Sequence, residues 1–76
     1  MKEILIYIAK QLVDNPDEVV VTEIDKDGEL VLQLHVAQSD MGKVIGKQGR
    51  IAKTIRTFMK STAVRANVRL SVDIID

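Results

Sequence analysis

Residues 44–51 read Val44-Ile45-Gly46-Lys47-Gln48-Gly49-Arg50-Ile51, a stretch in which two glycines bracket two polar residues. Glycine has no Cβ, so each of these positions allows another backbone to approach closely. We interpret the stretch as a turn between two helices. The first amides of the second helix then lack intrahelical partners and favour an anion. Lys47 and Arg50 add positive charge beside those amides, so the turn is suited to a phosphodiester.

A P-loop also places a glycine-rich turn before a helix and cradles phosphate there. It needs four residues between its glycines, followed by Lys and then Ser or Thr. Gly42 and Gly46 are separated by only three residues, and Gln48 stands where the magnesium-binding hydroxyl belongs. The spacing therefore excludes a P-loop, and a simple junction between two helices is the remaining alternative.

The residues before this turn predict a helix followed by a hairpin. Apolar residues recur every four positions through residues 2–13, which predicts an amphipathic helix that ends before Pro16. Residues 18–24 are rich in β-branched side chains, and residues 29–37 alternate between apolar and polar, so both segments predict strands. The short connection at Gly28 makes the two strands an antiparallel hairpin.

The residues around and after the turn predict two helices and a last strand. Ser39 and Asp40 are residue types that cap helices, and we expect them to begin a short helix over residues 41–45. Helical spacing of apolar residues predicts a longer helix over residues 50–63. Strict alternation over residues 67–74 predicts the third strand.

The element order α-β-β-α-α-β predicts the architecture of the whole chain. A crossover through two helices joins parallel strands, whereas the hairpin strands are antiparallel. We therefore expect an α+β domain with a three-stranded mixed sheet and three helices on one face of that sheet. Residues 1–76 are few enough that we expect one domain.

The composition argues against catalysis and against a membrane location. The sequence has no cysteine and one histidine, His35, so we expect no enzyme, no metal site and no cofactor. The first residues alternate between charged and apolar, unlike a signal peptide. No apolar run approaches the ~20 residues that a membrane span needs. The prediction is a cytoplasmic protein without a membrane partner.

Charge is unevenly distributed although the total is zero. Residues 1–30 carry three lysines against eight acidic residues, a net charge of −5, and residues 31–76 carry eight basic against three acidic residues, a net charge of +5. The basic part contains the glycine turn, so we expect one surface to attract a polyanion. A solvated basic face with its counterions is the alternative interpretation.

The stretch Val-Ile-Gly-Lys-Gln-Gly-Arg-Ile, together with the predicted element order, resembles the KH domain of the type II, bacterial arrangement. In KH domains a GXXG loop clamps the backbone of about four nucleotides of single-stranded RNA. The resemblance implies that Gly46 and Gly49 admit the RNA backbone. It also implies an apolar groove floor and flanking basic contacts, with the second strand as the other wall. The residues to which it assigns RNA contact are Met41, Lys43, Val44, Ile45, Gly46, Lys47, Gln48, Gly49, Arg50, Ile51 and Lys53.

The length of the chain and the segment Gln38-Ser39-Asp40-Met41-Gly42-Lys43-Val44-Ile45-Gly46 resemble those of the small bacterial stand-alone KH proteins of the KhpA family. That resemblance implies an RNA chaperone or post-transcriptional regulator linked to cell shape and division. It also implies that the chain pairs with a second copy or with a larger KH protein of the KhpB or Jag kind. The long helix over residues 50–63 carries a wide apolar stripe that suits such pairing. A protein-interaction subunit with secondary RNA contact is therefore the alternative function.

Overall fold

The computed structural model describes residues 1–75 and confirms an α+β architecture with a mixed sheet. The helices and strands, in chain order, are α1 (Lys2–Leu12), a short 3-10 helix (Pro16–Glu18), β1 (Val20–Lys26), β2 (Glu29–His35), α2 (Gln38–Arg65) and β3 (Leu70–Ile75).

The sheet has the strand order β1-β2-β3, with β2 in the centre. β1 pairs with β2 in the antiparallel sense, and β2 pairs with β3 in the parallel sense. Leu32 at the middle of β2 lies opposite Glu23 on one side and Val72 on the other. The predicted hairpin and the predicted parallel crossover are both confirmed.

The core lies between the leucine face of β2 and the two helices. Leu32 from β2, Leu5 from α1 and Ile55 from α2 are completely buried and belong to one apolar cluster. A buried aliphatic side chain contributes about 1.5–3 kcal/mol relative to an exposed one, so this layer holds the helices on the sheet. The other buried members of the cluster are Ala9, Val13, Val19, Val21, Leu34, Val44, Ala52, Met59 and Val72.

The opposite face of the sheet is open. Along β2, Val31, Gln33 and His35 alternate with the buried leucines and are only partly buried. Ser71 and Asp73 continue this face on β3. The alternation of β2 therefore sets the side of the sheet on which both α-helices pack, as the sequence predicts.

The crossover agrees with the prediction in its break and differs in its boundaries. The backbone of α2 leaves helical geometry at Gly46–Gly49, so two helical segments flank the predicted turn. The last turn of α2 extends to Arg65, and the backbone N–H of Val68 donates to the carbonyl of Ala63 (2.9 Å). Because this hydrogen bond ties the residues after α2 to the helix end, β3 begins at Leu70, three residues later than predicted.

The predicted capping of this helix by Ser39 and Asp40 is wrong. The N-cap of α2 is Ala37, no side chain caps the helix, and Asp40 lies inside the first turn. The Asp40 carboxylate instead faces the segment that follows α1 and accepts hydrogen bonds there. The carboxylate that was predicted to cap the helix therefore binds the backbone of Asn15, which lies 25 residues away along the chain.

Candidate nucleic-acid interface

The Gly46–Gly49 loop has an unusual backbone. Lys47 (φ 53°, ψ 48°), Gln48 (φ 65°, ψ 27°) and Gly49 (φ 67°, ψ 29°) all occupy the left-handed region. A residue other than glycine costs roughly 1–2 kcal/mol there, because its Cβ approaches the following carbonyl. Two such residues in succession store strain at one place on the surface, and backbone strain of this kind clusters at functional sites.

Only one of the two loop glycines is required by the conformation of the chain itself. Gly49 has a positive φ, which glycine adopts without strain. Gly46 has φ −70° and ψ 175°, a conformation open to any residue, and a Cβ built there meets nothing within 4 Å. Neither the backbone nor the surrounding chain requires glycine at position 46. The absence of a side chain at Gly46 therefore leaves space in which a ligand could approach the backbone.

A small cleft opens on one side of the loop. It has a volume of about 260 Å³ and contains three cationic side chains, Lys43, Lys47 and Arg50. These cations line the cleft together with half-buried Gly46, so an anion lying there meets several positive charges together. The lining residues of this first cleft are Gly42, Lys43, Gly46, Lys47, Arg50 and Ile51.

A second cleft, of about 470 Å³, begins at the same loop but shares no lining residue with the first. It runs along α2 toward β3 and combines an apolar base with a basic border. The predicted contact residues are thus divided between two surfaces that meet at the loop. The lining residues of the second cleft are Ile45, Gln48, Gly49, Ala52, Lys53, Arg56, Thr57, Lys60 and Ile74.

The predicted apolar floor is distributed unevenly. Val44 is completely buried within the core and Met41 is nearly so, so neither offers accessible surface beside the loop. Ile45 is 55% exposed and lines the second cleft, whereas Ile51 is half-buried and lines the first. Accessible apolar surface near the loop therefore comes from Ile45 and Ile51.

Three further residues, Arg56, Lys60 and Ile74, line the second cleft and are not among the predicted contact residues. Arg56 and Lys60 follow Lys53 at spacings of three and seven, which place all three cations on one helix face. That spacing is visible in the sequence and predicts the basic border. Ile74 has no such signal, because its position depends on how β3 packs beside α2.

Arg56 also connects α2 to the sheet. Its Nε–H donates to the carbonyl of Val72 on β3, at 3.3 Å. β3 is an edge strand, so among residues 1–75 no further strand pairs with its outer backbone groups. The strand beside the second cleft is β3, which contributes Ile74, whereas the resemblance to KH domains implies β2 as the groove wall.

Asp40 holds the segment after α1 against the first turn of α2. Its Oδ1 accepts the backbone N–H of Asp14 (3.0 Å), and its Oδ2 accepts the backbone N–H of Asn15 (3.0 Å). Burial raises the pKa of Asp40, but these hydrogen bonds and the positive charge of Lys43 lower it, and the net result is a pKa below the usual range. Asp40 is therefore a charged, satisfied carboxylate inside the fold.

Lys43 lies one turn further along α2 and belongs to the first cleft. Its Nζ forms an ion pair with Oδ1 of Asp14, at 3.2 Å. One of the cations expected to meet RNA is thus paired with a carboxylate of the chain itself.

Within residues 1–75, no group of three His, Cys, Asp or Glu side chains is placed to hold a metal ion. The same residues contain no helix that is both long and apolar enough to span a membrane. The chemistry available at the loop is therefore that of amides, cations and apolar surface.

The comparisons with known proteins agree with one another. A family model described as the KH domain of KhpA and KhpB matches residues 2–74. The chain is 59% identical to the RNA-binding protein KhpA of Clostridium acetobutylicum, over 99% of this chain and 100% of the relative. It is 52% identical to that of Clostridium perfringens over the same shares, and 49% identical to that of Chlamydia pneumoniae, over 100% of this chain and 97% of the relative.

No solved structure matches the chain. The family model and the relatives nevertheless cover nearly its whole length, including the loop and both clefts. The chain belongs to the KhpA/KhpB family of KH domains.

Proposed function

We propose that this chain binds single-stranded RNA at the Gly46–Gly49 loop and catalyses no reaction. The observation that carries the proposal is Gly46, a glycine that the chain itself does not require, placed among three cations. A sugar–phosphate backbone needs both close approach and positive charge. Relatives of this length carry the name RNA-binding protein, which supports the same ligand.

The two clefts suit the two parts of a nucleotide. Lys43, Lys47 and Arg50 of the first cleft are suited to phosphate oxygens. The second cleft offers Ile45 and Ile74 as an apolar surface on which bases can lie flat, bordered by cations. In this arrangement the loop separates backbone from bases, with Gln48 and Gly49 on the base side.

The proposed mode is that of a type II KH domain. The parts of α2 before and after Gly46–Gly49 correspond to the two helices of the crossover, and with α1 they give the three helices of that fold. A single domain of this kind contacts about four nucleotides, so we expect modest affinity and broad choice of sequence. Such binding suits an RNA chaperone or post-transcriptional regulator in the cytoplasm, linked to cell shape and division.

The experiment is a pair of matched double variants tested with a fluorescently labelled single-stranded RNA. In the loop variant, Lys47→Asp and Gln48→Asp reverse the charge at the tip, and Asp tolerates the left-handed region better than most residues. In the control, Lys10→Asp and Gln11→Asp make the same changes on exposed positions of α1. The loop variant should lose binding and the control should retain it. Equal binding by two folded variants would falsify the proposal.

A second function, as a protein-interaction subunit, is favoured by the outer face of α2. Phe58 is 50% exposed and Val64 is 78% exposed on this helix. The hydroxyls of Thr54 and Thr62, one turn to either side of Phe58, donate to the carbonyls of Arg50 (2.9 Å) and Phe58 (3.0 Å). Their polar groups are thus already used, which leaves an apolar strip. It would pair with a second copy or with a KhpB- or Jag-like protein.

A further inference from the structure

The acid that pairs with Lys43 lies beside the proposed phosphate path. Asp14 Oδ1 is 3.2 Å from Lys43 Nζ, and the side chains are 76% and 45% exposed, respectively. Lys43 lines the first cleft together with Lys47 and Arg50, whereas Asp14 does not line it. The pair therefore draws one cation of the cleft toward the segment that follows α1.

This ion pair is held by the fold. An exposed pair usually contributes little, because two long side chains must be ordered in one geometry. Here the backbone of Asp14 is fixed by its N–H bond to Oδ1 of buried Asp40. Asp40 and Lys43 are three residues apart on α2, so they lie on the same side of the helix. The hydrogen bond that anchors Asp14 thus keeps its carboxylate close to Lys43.

We infer that Asp14 competes with RNA phosphate for Lys43 and thereby limits RNA affinity. The inference rests on the proposed function and adds a residue that weakens RNA binding. A phosphate can engage Lys43 fully only by replacing the Asp14 carboxylate, so part of the phosphate's electrostatic gain is offset. While Lys43 is paired with Asp14 it also neutralises less phosphate charge, so fewer of the cations condensed on the RNA are released.

The size of the effect follows from the exposure of the pair. Exposed ion pairs are worth only fractions of a kcal/mol, which corresponds to an affinity change of about two- to fivefold. Each phosphate of single-stranded RNA that a lysine neutralises contributes about 0.7 to the slope of log affinity against log salt, because the cation condensed on that phosphate is released. Removal of the Asp14 charge should therefore steepen that slope by up to about 0.7.

The test is a double-mutant cycle on the full chain with a labelled single-stranded RNA octamer. Asp14→Asn removes the charge but retains the backbone N–H that Asp40 requires. Asp17→Asn is the matched control, since Asp17 is an exposed acid on the 3-10 helix nearby and its neutralisation changes the net charge equally. Lys43→Met, alone and combined with Asp14→Asn, completes the cycle.

Asp14→Asn should tighten binding two- to fivefold and steepen the salt dependence, and Asp17→Asn should change both less. In the Lys43→Met background, Asp14→Asn should have no effect. The inference is overturned if Asp14→Asn leaves the affinity unchanged or weakens it, or if it acts equally with Lys43 absent, which would indicate general charge repulsion. Either of these contrary results overturns the inference alone if the unaltered chain still binds the RNA. If the unaltered chain does not bind the RNA even at low salt, the proposed function is refuted as well.

Discussion

Asp40 accepts two hydrogen bonds from Asn15, one from the backbone N–H at 3.0 Å and one from the side-chain Nδ2 at 3.2 Å. With the bond from Asp14, three donors converge on one buried carboxylate. This junction of Asp14, Asn15 and Asp40 joins the segment after α1 to the first turn of α2. Lys43 follows in the next turn of α2, and the Gly46–Gly49 loop comes after it. The position of the proposed RNA site therefore depends on a polar contact inside the fold.

Replacement of Asp40 by Asn should destabilise the protein. The side chain would keep its shape, but an NH₂ group would face one of the backbone N–H donors, which leaves a buried donor without an acceptor. We expect the melting temperature to fall by several degrees in thermal unfolding followed by circular dichroism. Asp73→Asn on the open face of the sheet is the control and should change it little. A melting temperature equal to that of the unaltered chain would show that the junction contributes nothing.

The same carboxylate should make stability fall in acid. The pKa of Asp40 is lower in the folded chain than its unfolded value of about 3.9, so ionisation stabilises the fold above that pH. The contribution is lost as the pH falls below about 4 and through the folded pKa. Urea unfolding at pH 7 and at pH 3 measures the difference. The Asp40→Asn variant should lose less stability between the two pH values, and an identical loss would contradict this assignment.

The two loop glycines should respond in opposite ways to alanine. Gly46→Ala places a Cβ in open space on an allowed backbone, so stability should stay the same or rise by up to ~1 kcal/mol. Gly49→Ala forces alanine into the left-handed region and should cost about 1–2 kcal/mol. Chemical denaturation gives both values.

The RNA affinity of these variants separates ligand contact from folding. Gly46→Ala should weaken RNA binding although the protein is as stable as before, because the added methyl group occupies the space for the RNA backbone. A stable Gly46→Ala variant with unchanged affinity would remove the main reason for placing RNA at this loop.

Arg56 should affect both stability and RNA binding. Arg56→Met keeps much of the apolar stem but removes the bond to the carbonyl of Val72, at a cost of about 0.5–1.5 kcal/mol. Because Arg56 lines the second cleft, its loss should also weaken RNA binding. Arg65→Met, an exposed cation at the end of α2 and outside both loop clefts, is the control for charge. Equal RNA affinities for the two variants would argue against the second cleft as the base site.

Self-association should depend on Phe58. Phe58→Asp places a charge in the exposed apolar strip of α2 and leaves the buried core residues on the other face of the helix untouched. Light scattering across a range of concentrations should show pairing for the unaltered chain and a monomer for the variant. A chain that stays monomeric at the highest concentration would contradict the homodimer.

The sequence predicts the sheet and the loop because both depend on local patterns. Leucine at every second position of β2 and the glycine spacing at Gly46 and Gly49 are visible without tertiary information. The role of Asp40 is not, because its partners lie 25 and 26 residues away along the chain and a local rule assigns it to a cap. The place of Ile74 in the second cleft likewise depends on packing between α2 and β3.

The left-handed backbone of the loop is only partly predictable. The glycine at position 49 indicates a left-handed backbone. Lys47 and Gln48 adopt the same region although residues of their type disfavour it. The types of these two residues do not signal that conformation, so sequence patterns do not predict it. This local conflict is the kind of sequence–structure disagreement that marks a functional segment.

The most direct measurement is the change of backbone amide NMR signals when single-stranded RNA is added to the ¹⁵N-labelled protein. The shifts should concentrate at Gly46–Gly49 and extend to Lys43 and Arg50 in the first cleft and to Lys53 and Arg56 in the second. The open face of the sheet, at Val31, Gln33 and Ser71, should stay unchanged. Shifts confined to that open face, with the loop unaffected, would contradict the account.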